Sequence, residues 1–298
     1  MGLIVKPMLA PNEAYDESRL IFPLLASPKL DGIRCVKQDG KVLSRKFLDI
    51  PNHHIRATMA PLPDGLDGEL MLGPGGTFNQ VQSAVMREEG EPDFRYYVFD
   101  YVSTSLEETY EDRMKKLDRL QLPAFCIKVL PNKIVDMDDL NTFEGQALSD
   151  GFEGLMLRDP KGPYKCGRAT LKQGWLLKMK RFMDSEAVIT GFEEQMSNQN
   201  EAGEDAFGRT KRSKALDGMV AANTLGKFIA TEIGETPWKG KTLKIGGFKG
   251  MTAVERKRIW DNQADYLGKI LTYKYQPHGV KDLPRLPIGK GFRDPKDM

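Results

Sequence analysis

Short β-forming runs set the limits on what this chain can become. IRCVK, KVLSR, LDGELML, RYYVFDYV, EGLMLR and GWLLKMK follow one another through the first 180 residues, separated by turn residues. Runs of this length, rich in branched and aromatic side chains, read as strands. KVLSR alternates and Gln38-Asp39-Gly40 precedes it, which predicts a hairpin, IRCVK-QDG-KVLSR. Helical patterns lie between the strands: TFNQVQSAVMRE from Thr77, SLEETYEDRMKKLDRL, and MDDLNTFEGQALSDG ending at a glycine. The second has acids early and bases late, which suits the helix dipole. Strands and helices in this mixture make an α+β chain, and no internal repeat interrupts it.

The pattern breaks near residues 182–184. SEAVITGFEE, DGMVAANTL, KFIATEIG and GKILTYKYQ then accompany one helix, TAVERKRIWDNQADYL. Short strands with a single helix in this length predict a small β-barrel. The domain division is therefore 1–183 and 184–298. The stretch 196–215, MSNQNEAGEDAFGRTKRSKA, reads as a long loop available for function.

Charge is distributed unevenly. Residues 206–298 carry 19 Lys and Arg against 9 Asp and Glu, a net of +10, while residues 1–205 carry a net of −8. A basic segment on an acidic protein suggests a polyanionic partner, although a solvated basic face explains it equally well. Cys35, Cys126 and Cys166 are few and far apart, which predicts free thiols in a reducing cytosol and no zinc site. No apolar run approaches the roughly 20 residues of a membrane span. MGLIVKPMLA, broken by Lys6 and Pro7, is not a signal peptide.

No phosphate-binding GxxxxGK[ST] loop is present. Gly73, Gly75 and Gly76 read as a turn, and His53, His54 and His278 form no triad. Lysines and carboxylates must then carry the chemistry. Lys29 stands before an Asp-Gly turn in SPKLDGIR, with Arg34 just beyond it. A tight turn would gather the two cations, which calls for an anion between them. A free lysine has a pKa of about 10.4, so only about one in 2,000 is neutral at pH 7, and a nucleophilic lysine needs positive neighbours or a metal ion. Lys178, Lys180 and Arg34 are the candidates, the plain alternative being a surface lysine. Glu69, after Asp67-Gly68, and Glu153, in DGFEGLMLR, read as acids at strand mouths that can reach a ribose or a hydrated cation. Asp and Gly favour turns in any case. Lys178 and Lys180 share one strand face, opposite apolar Leu177 and Met179, and a phosphate would relieve their repulsion. Phe99 is placed either to stack on a base or to fill the core.

The ordered series KLDGIR, LSR, DGEL, YVFD, EGLMLR and LKMK resembles the motif set of the covalent nucleotidyltransferases, which include DNA ligases, RNA ligases and mRNA capping enzymes. It is most similar to small two-domain ATP-dependent DNA ligases. The resemblance runs from Lys6 to about Arg181, and more loosely to Arg293. It implies a nucleotidyltransferase (adenylation) domain, ATP-grasp-like with antiparallel sheets and flanking helices, followed by an OB-fold barrel. It implies that Lys29 becomes lysyl-AMP, that Arg34 and Glu69 contact the nucleotide sugar, and that Phe99 stacks on adenine. Glu153, with Glu69, would bind Mg²⁺, for which Mn²⁺ can substitute. Lys178 and Lys180 would grip the α-phosphate, and Arg45 the 5′-phosphate of a nick. Ser27 stands where many members carry an acid, leaving adenine selection to the backbone. The tail LPRLPIGKGFRDPKD matches the last motif partially, with Arg293 and Lys296 as candidates for pyrophosphate.

With 28 residues before Lys29, the grip on nicked double-stranded DNA is expected to come from the two domains, and from Arg209, Lys211, Arg212 and Lys214 in particular. The implied protein is a cytoplasmic monomer, in a bacterium or in a host cell if the gene is viral. An RNA ligase and a capping guanylyltransferase share the lysine chemistry. A non-catalytic OB-fold nucleic-acid-binding protein is the alternative from another class.

Overall fold

A computed structural model describes residues 2–13, 15–73, 78–180, 182–204, 210–213, 215–248, 250–276 and 283–293. The chain divides into two compact units, Met1–Lys180 and Arg181–Met298.

Two sheets build the first unit. One has five strands, in the order Lys41–Ser44, Ile33–Gln38, Leu66–Leu72, Phe94–Tyr101 and Cys126–Lys128. The other has four, in the order Leu176–Met179, Leu155–Arg158, Leu24–Pro28 and Asn132–Ile134. The expected hairpin forms with Gln38 opposite Lys41. Its turn is the pair Asp39-Gly40 alone, at φ 52° and 70°, the left-handed conformation that a two-residue turn requires.

Period-two burial sets the core. Phe94, Tyr96 and Val98 face inward along Phe94–Tyr101, while Tyr97, Phe99 and Tyr101 on the other face are half-buried. Tyr110, Met114 and Leu117 recur at helical spacing on Tyr110–Arg119 and pack on the same core, with Val81 and Val85 of the helix Phe78–Val85. Thr109 caps the former helix by accepting from the Asp112 amide at 3.3 Å, so it starts at Tyr110 and not at Ser105. The helix Met137–Ser149 covers the four-stranded sheet through Leu140 and Ala147. Leu177 and Met179 point into that core and Leu176 into another, with Met8 and Tyr164, so this strand is covered on both faces.

In the second unit, Met183–Asn198, Met219–Glu232, Thr242–Gly246, Arg285–Phe292 and Ile270–Gln276 close into a barrel in that order. Ala187, Ile189, Phe228, Ala230, Ile245 and Leu271 fill it. The helix Ala253–Asp261 opens on a capping box of Thr252 and Glu255 and buries Ile259. Among its described residues, the expected loop 196–215 contains three strand segments. Met196–Asn198 pairs with Met219–Ala221, and Ala202–Glu204 with Thr210–Arg212. Backbone pairing holds these ribbons without an apolar face, so hydrophobic periodicity gave no sign of them.

Candidate active site

KLDGIR does not close a hairpin. Leu24–Pro28 lies in the four-stranded sheet and Ile33–Gln38 in the five-stranded one, so Lys29–Gly32 crosses between sheets. The Lys29 amide donates to the Gly154 carbonyl at 2.8 Å. Gly32 is required by close approach, since a Cβ there would meet the Leu70 carbonyl oxygen and the Glu69 side chain. Its amide donates to Glu69 Oε1 at 3.3 Å.

Glu153 gathers the lysines. Lys29 Nζ lies 2.5 Å from Glu153 Oε2, and Lys180 Nζ lies 3.0 and 3.1 Å from the two carboxylate oxygens. Gly154, at φ 138° and with no room for a Cβ against the Met179 carbonyl, lets the chain turn directly into the strand from Leu155. Burial alone would raise the Glu153 pKa, but Lys29 and then Lys180 outweigh it and hold it below the ordinary value. The Lys178 pKa is lowered, first by burial and then by Arg168, Lys29 and Lys180. Two lysines thus share one carboxylate, with Lys178 near both and Arg168 near Lys178, a field suited to a polyanion.

Arg34 faces a different carboxylate. Its Nε and Nη2 each donate to Asp67 at 2.6 Å, and Nη2 also reaches the Met8 carbonyl at 3.2 Å. Its guanidinium lies 4.5 Å from the Phe99 ring centroid. Burial works against the arginine's charge, yet Asp67 prevails and raises its pKa. Among protein groups, then, Lys29 meets Glu153 and Arg34 meets Asp67.

Asp67-Gly68-Glu69 is not a turn opening a strand. It lies within Leu66–Leu72, with a register shift between Asp67 and Gly68 against Phe94–Tyr101. Glu69 sits opposite Arg34 across the sheet. Burial pushes its pKa up to about 7, against the pull of Arg34, Lys29 and the Gly32 amide.

Lys29, Glu153, Lys178 and Lys180 thus come together, as do Arg34, Glu69 and Phe99. Arg45 is exposed in the turn after Lys41–Ser44, one residue beyond the pairing partner of Cys35. Ser27 is buried, opposite Met156. In the second unit, Arg293 donates to Glu186 and Arg212 to the Asn200 carbonyl. Lys211 lies on the strand Thr210–Arg212, and Arg209, Lys214 and Lys296 fall outside the described residues. Sequence reasoning missed Arg168, Tyr164 and Asp67 as parts of the site. Asp67 carried a signal: it stands two residues from Glu69, on the same strand face.

Family models match two parts of the chain: an ATP dependent DNA ligase domain over residues 7–180 and a DNA ligase OB-like domain over residues 219–293. The structure of Chlorella virus DNA ligase-adenylate is 33% identical, with a TM-score of 0.55, covering 97% of this chain and 100% of that one. A Lig E DNA ligase structure, 23% identical with a TM-score of 0.68, shares the fold. Among curated relatives, the DNA ligase of Enterobacteria phage T4 is 21% identical over 335 residues, covering 91% of this chain and 64% of that protein. That of African swine fever virus (strain Badajoz 1971 Vero-adapted) is 24% identical over 183 residues, covering 55% and 43%. The chain spans less than two thirds of these two relatives. Its architecture is a nucleotidyltransferase domain with an OB-like barrel. The chain belongs to the ATP-dependent DNA ligase family.

Proposed function

We propose that the protein is an ATP-dependent DNA ligase that seals nicks between a 5′-phosphate and a 3′-hydroxyl in duplex DNA. The observation that carries this reading is the Lys29 amine at 2.5 Å from Glu153, with Lys180 on the same carboxylate, in a chain of that family. Lys29, as a free amine, attacks the α-phosphorus of ATP. An N–P bond forms, pyrophosphate leaves, and the amine's proton is released. The 5′-phosphate of the nick then attacks that phosphorus, and Lys29 departs and regains a proton. Finally the 3′-hydroxyl attacks the activated 5′-phosphate, AMP leaves, and the strand is joined. Lys178 and Lys180 neutralise charge on the α-phosphate in the two adenylyl transfers. Glu153, with its lowered pKa, stays ionised and acts through charge rather than as a proton store.

Mg²⁺, or Mn²⁺ in its place, belongs to this reading. Among the described residues no three His, Cys, Asp or Glu side chains gather into a cage. Mg²⁺ needs only one or two carboxylates, with phosphate oxygens and water completing its shell, so Glu153 and Glu69 fit it. When bound it supplies charge to the leaving pyrophosphate.

Arg34 and Glu69 are assigned to the nucleotide sugar, Phe99 to adenine and Arg45 to the nick's 5′-phosphate. Arg293 is assigned to pyrophosphate and must exchange Glu186 for it. Arg209, Lys211, Arg212 and Lys214 are assigned to the DNA backbone. The adenylation domain is placed at 1–183 and the OB domain at 184–298, working as a cytoplasmic monomer. No helix of the described residues is long and apolar enough to cross a membrane.

The test is sealing of a 5′-labelled nicked duplex with ATP or GTP, beside an RNA nick. Joining of DNA with ATP alone is expected. A covalent adduct from GTP would make the protein a guanylyltransferase, and preference for the RNA nick an RNA ligase. With no adduct at all it would be a nucleic-acid-binding protein.

A further inference from the structure

Four residues close a ring of hydrogen bonds beneath Phe99. Arg34 Nη2 donates to Asp67 Oδ2 at 2.6 Å and to the Met8 carbonyl at 3.2 Å. The Met8 amide donates to the Tyr164 hydroxyl at 3.0 Å, and that hydroxyl donates to Asp67 Oδ2 at 2.5 Å. Met8, Asp67 and Tyr164 are buried. The ring joins three separate parts of the first unit: the short strand Met8–Leu9, the paired strands that carry Arg34 and Asp67, and the loop before Gly167–Arg168. Met8–Leu9 is fixed further by parallel pairing with Gly167–Arg168. A tyrosine hydroxyl has one proton to donate and a lone pair to accept with, and both are in use here. Burial, and then the Asp67 carboxylate, raise the Tyr164 pKa well above the ordinary value, so the donor persists at working pH.

We infer that Tyr164 is a positioning residue for Arg34: it fixes Asp67 and the Met8 carbonyl, and these two together hold the guanidinium over Phe99. Tyr164 touches no reacting atom in this account. Without its hydroxyl, Asp67 and the Met8 amide each lose a partner, and Arg34 loses the definition of two of its acceptors. The inference deepens the ligase reading and rests on it, because Arg34 matters to a rate only if this site handles a nucleotide or a nick.

The test compares wild type, Tyr164→Phe, Arg34→Gln and the double variant. Lysyl-AMP formation and transfer of AMP to nicked DNA are each followed in single turnover at 15 °C. Removing a hydrogen bond to a charged group is expected to slow the step that Arg34→Gln slows by about tenfold. In the Arg34→Gln background the same change should alter that step by less than about twofold, because Tyr164 acts through Arg34. Multiplicative effects, slowing of a different step, or no effect of Tyr164→Phe would each overturn the inference. If Tyr164→Phe does not fold, Asp67→Asn must show the same dependence on Arg34. Wild-type protein that forms no lysyl-AMP at all would instead overturn the ligase reading.

Discussion

Asp67→Asn removes the charge that holds Arg34 while keeping nearly the same shape. Asp67 is fully enclosed and the Arg34 side chain is 16% exposed, so the guanidinium would be left with little solvent to compensate it. Breaking a buried pair by removing one partner costs about 3–5 kcal/mol. The residual exposure of Arg34 argues for the lower end, about 3 kcal/mol. At about 2–4 °C per kcal/mol for units of this size, the first unit should melt roughly 6–12 °C earlier. Calorimetry and urea titration would measure the loss at pH 7. In an Arg34→Gln background Asp67 is itself the stranded charge, so Asp67→Asn should cost nothing there or restore stability. A single variant that melts within a degree or two of wild type, or equal costs in the two backgrounds, would refute the claim that Asp67 balances Arg34 in a closed site.

Three further outcomes follow from the site. Glu69 has a folded pKa of about 7, raised above its unfolded value, so the protonated form is favoured by folding. Its contribution is therefore present at low pH and lost as pH rises through 7. Between pH 5 and 8, wild type should lose up to about 3 kcal/mol relative to Glu69→Gln in paired denaturation curves, and parallel curves would contradict this. Gly154→Ala should destabilise the first unit by at least about 2 kcal/mol in urea, because φ 138° and the Met179 carbonyl both oppose a Cβ; a neutral substitution would refute the close approach. Changing Arg209, Lys211, Arg212 and Lys214 together to alanine should weaken nick binding and reduce the salt slope by about 3–4, leaving Lys29 adenylation intact; an unchanged slope and affinity would remove these residues from the DNA contact.

The candidate positions that the structure brings together were legible because each is a chemically unusual residue at a punctuated spacing: Lys29 before Asp-Gly, Glu153 before glycine, Lys178 and Lys180 alternating. The hairpin at Asp39-Gly40 was legible because only a few residue pairs make that turn. Pairing across sheets was not. Asp67 looks like a turn residue until strand register puts its strand beside Arg34, and Tyr164 looks like any loop aromatic until Met8 and Asp67 meet its hydroxyl. Nor does local sequence show that Lys29–Gly32 crosses between two sheets, since a hairpin and a crossover use the same Asp-Gly signal. The pairings of 196–198 with 219–221 and of 202–204 with 210–212 escaped for another reason: their backbone pairs, but no apolar face announces them.

The central claim is that Lys29 carries AMP covalently. Protein first stripped of bound nucleotide is incubated with ATP and Mg²⁺, its intact mass is measured, and the modified residue is located by peptide mapping; nicked DNA is then added. The account predicts a gain of one AMP on Lys29, absent in Lys29→Ala and discharged as the nick closes. An unmodified wild-type protein, or an adduct that persists in Lys29→Ala, would contradict it.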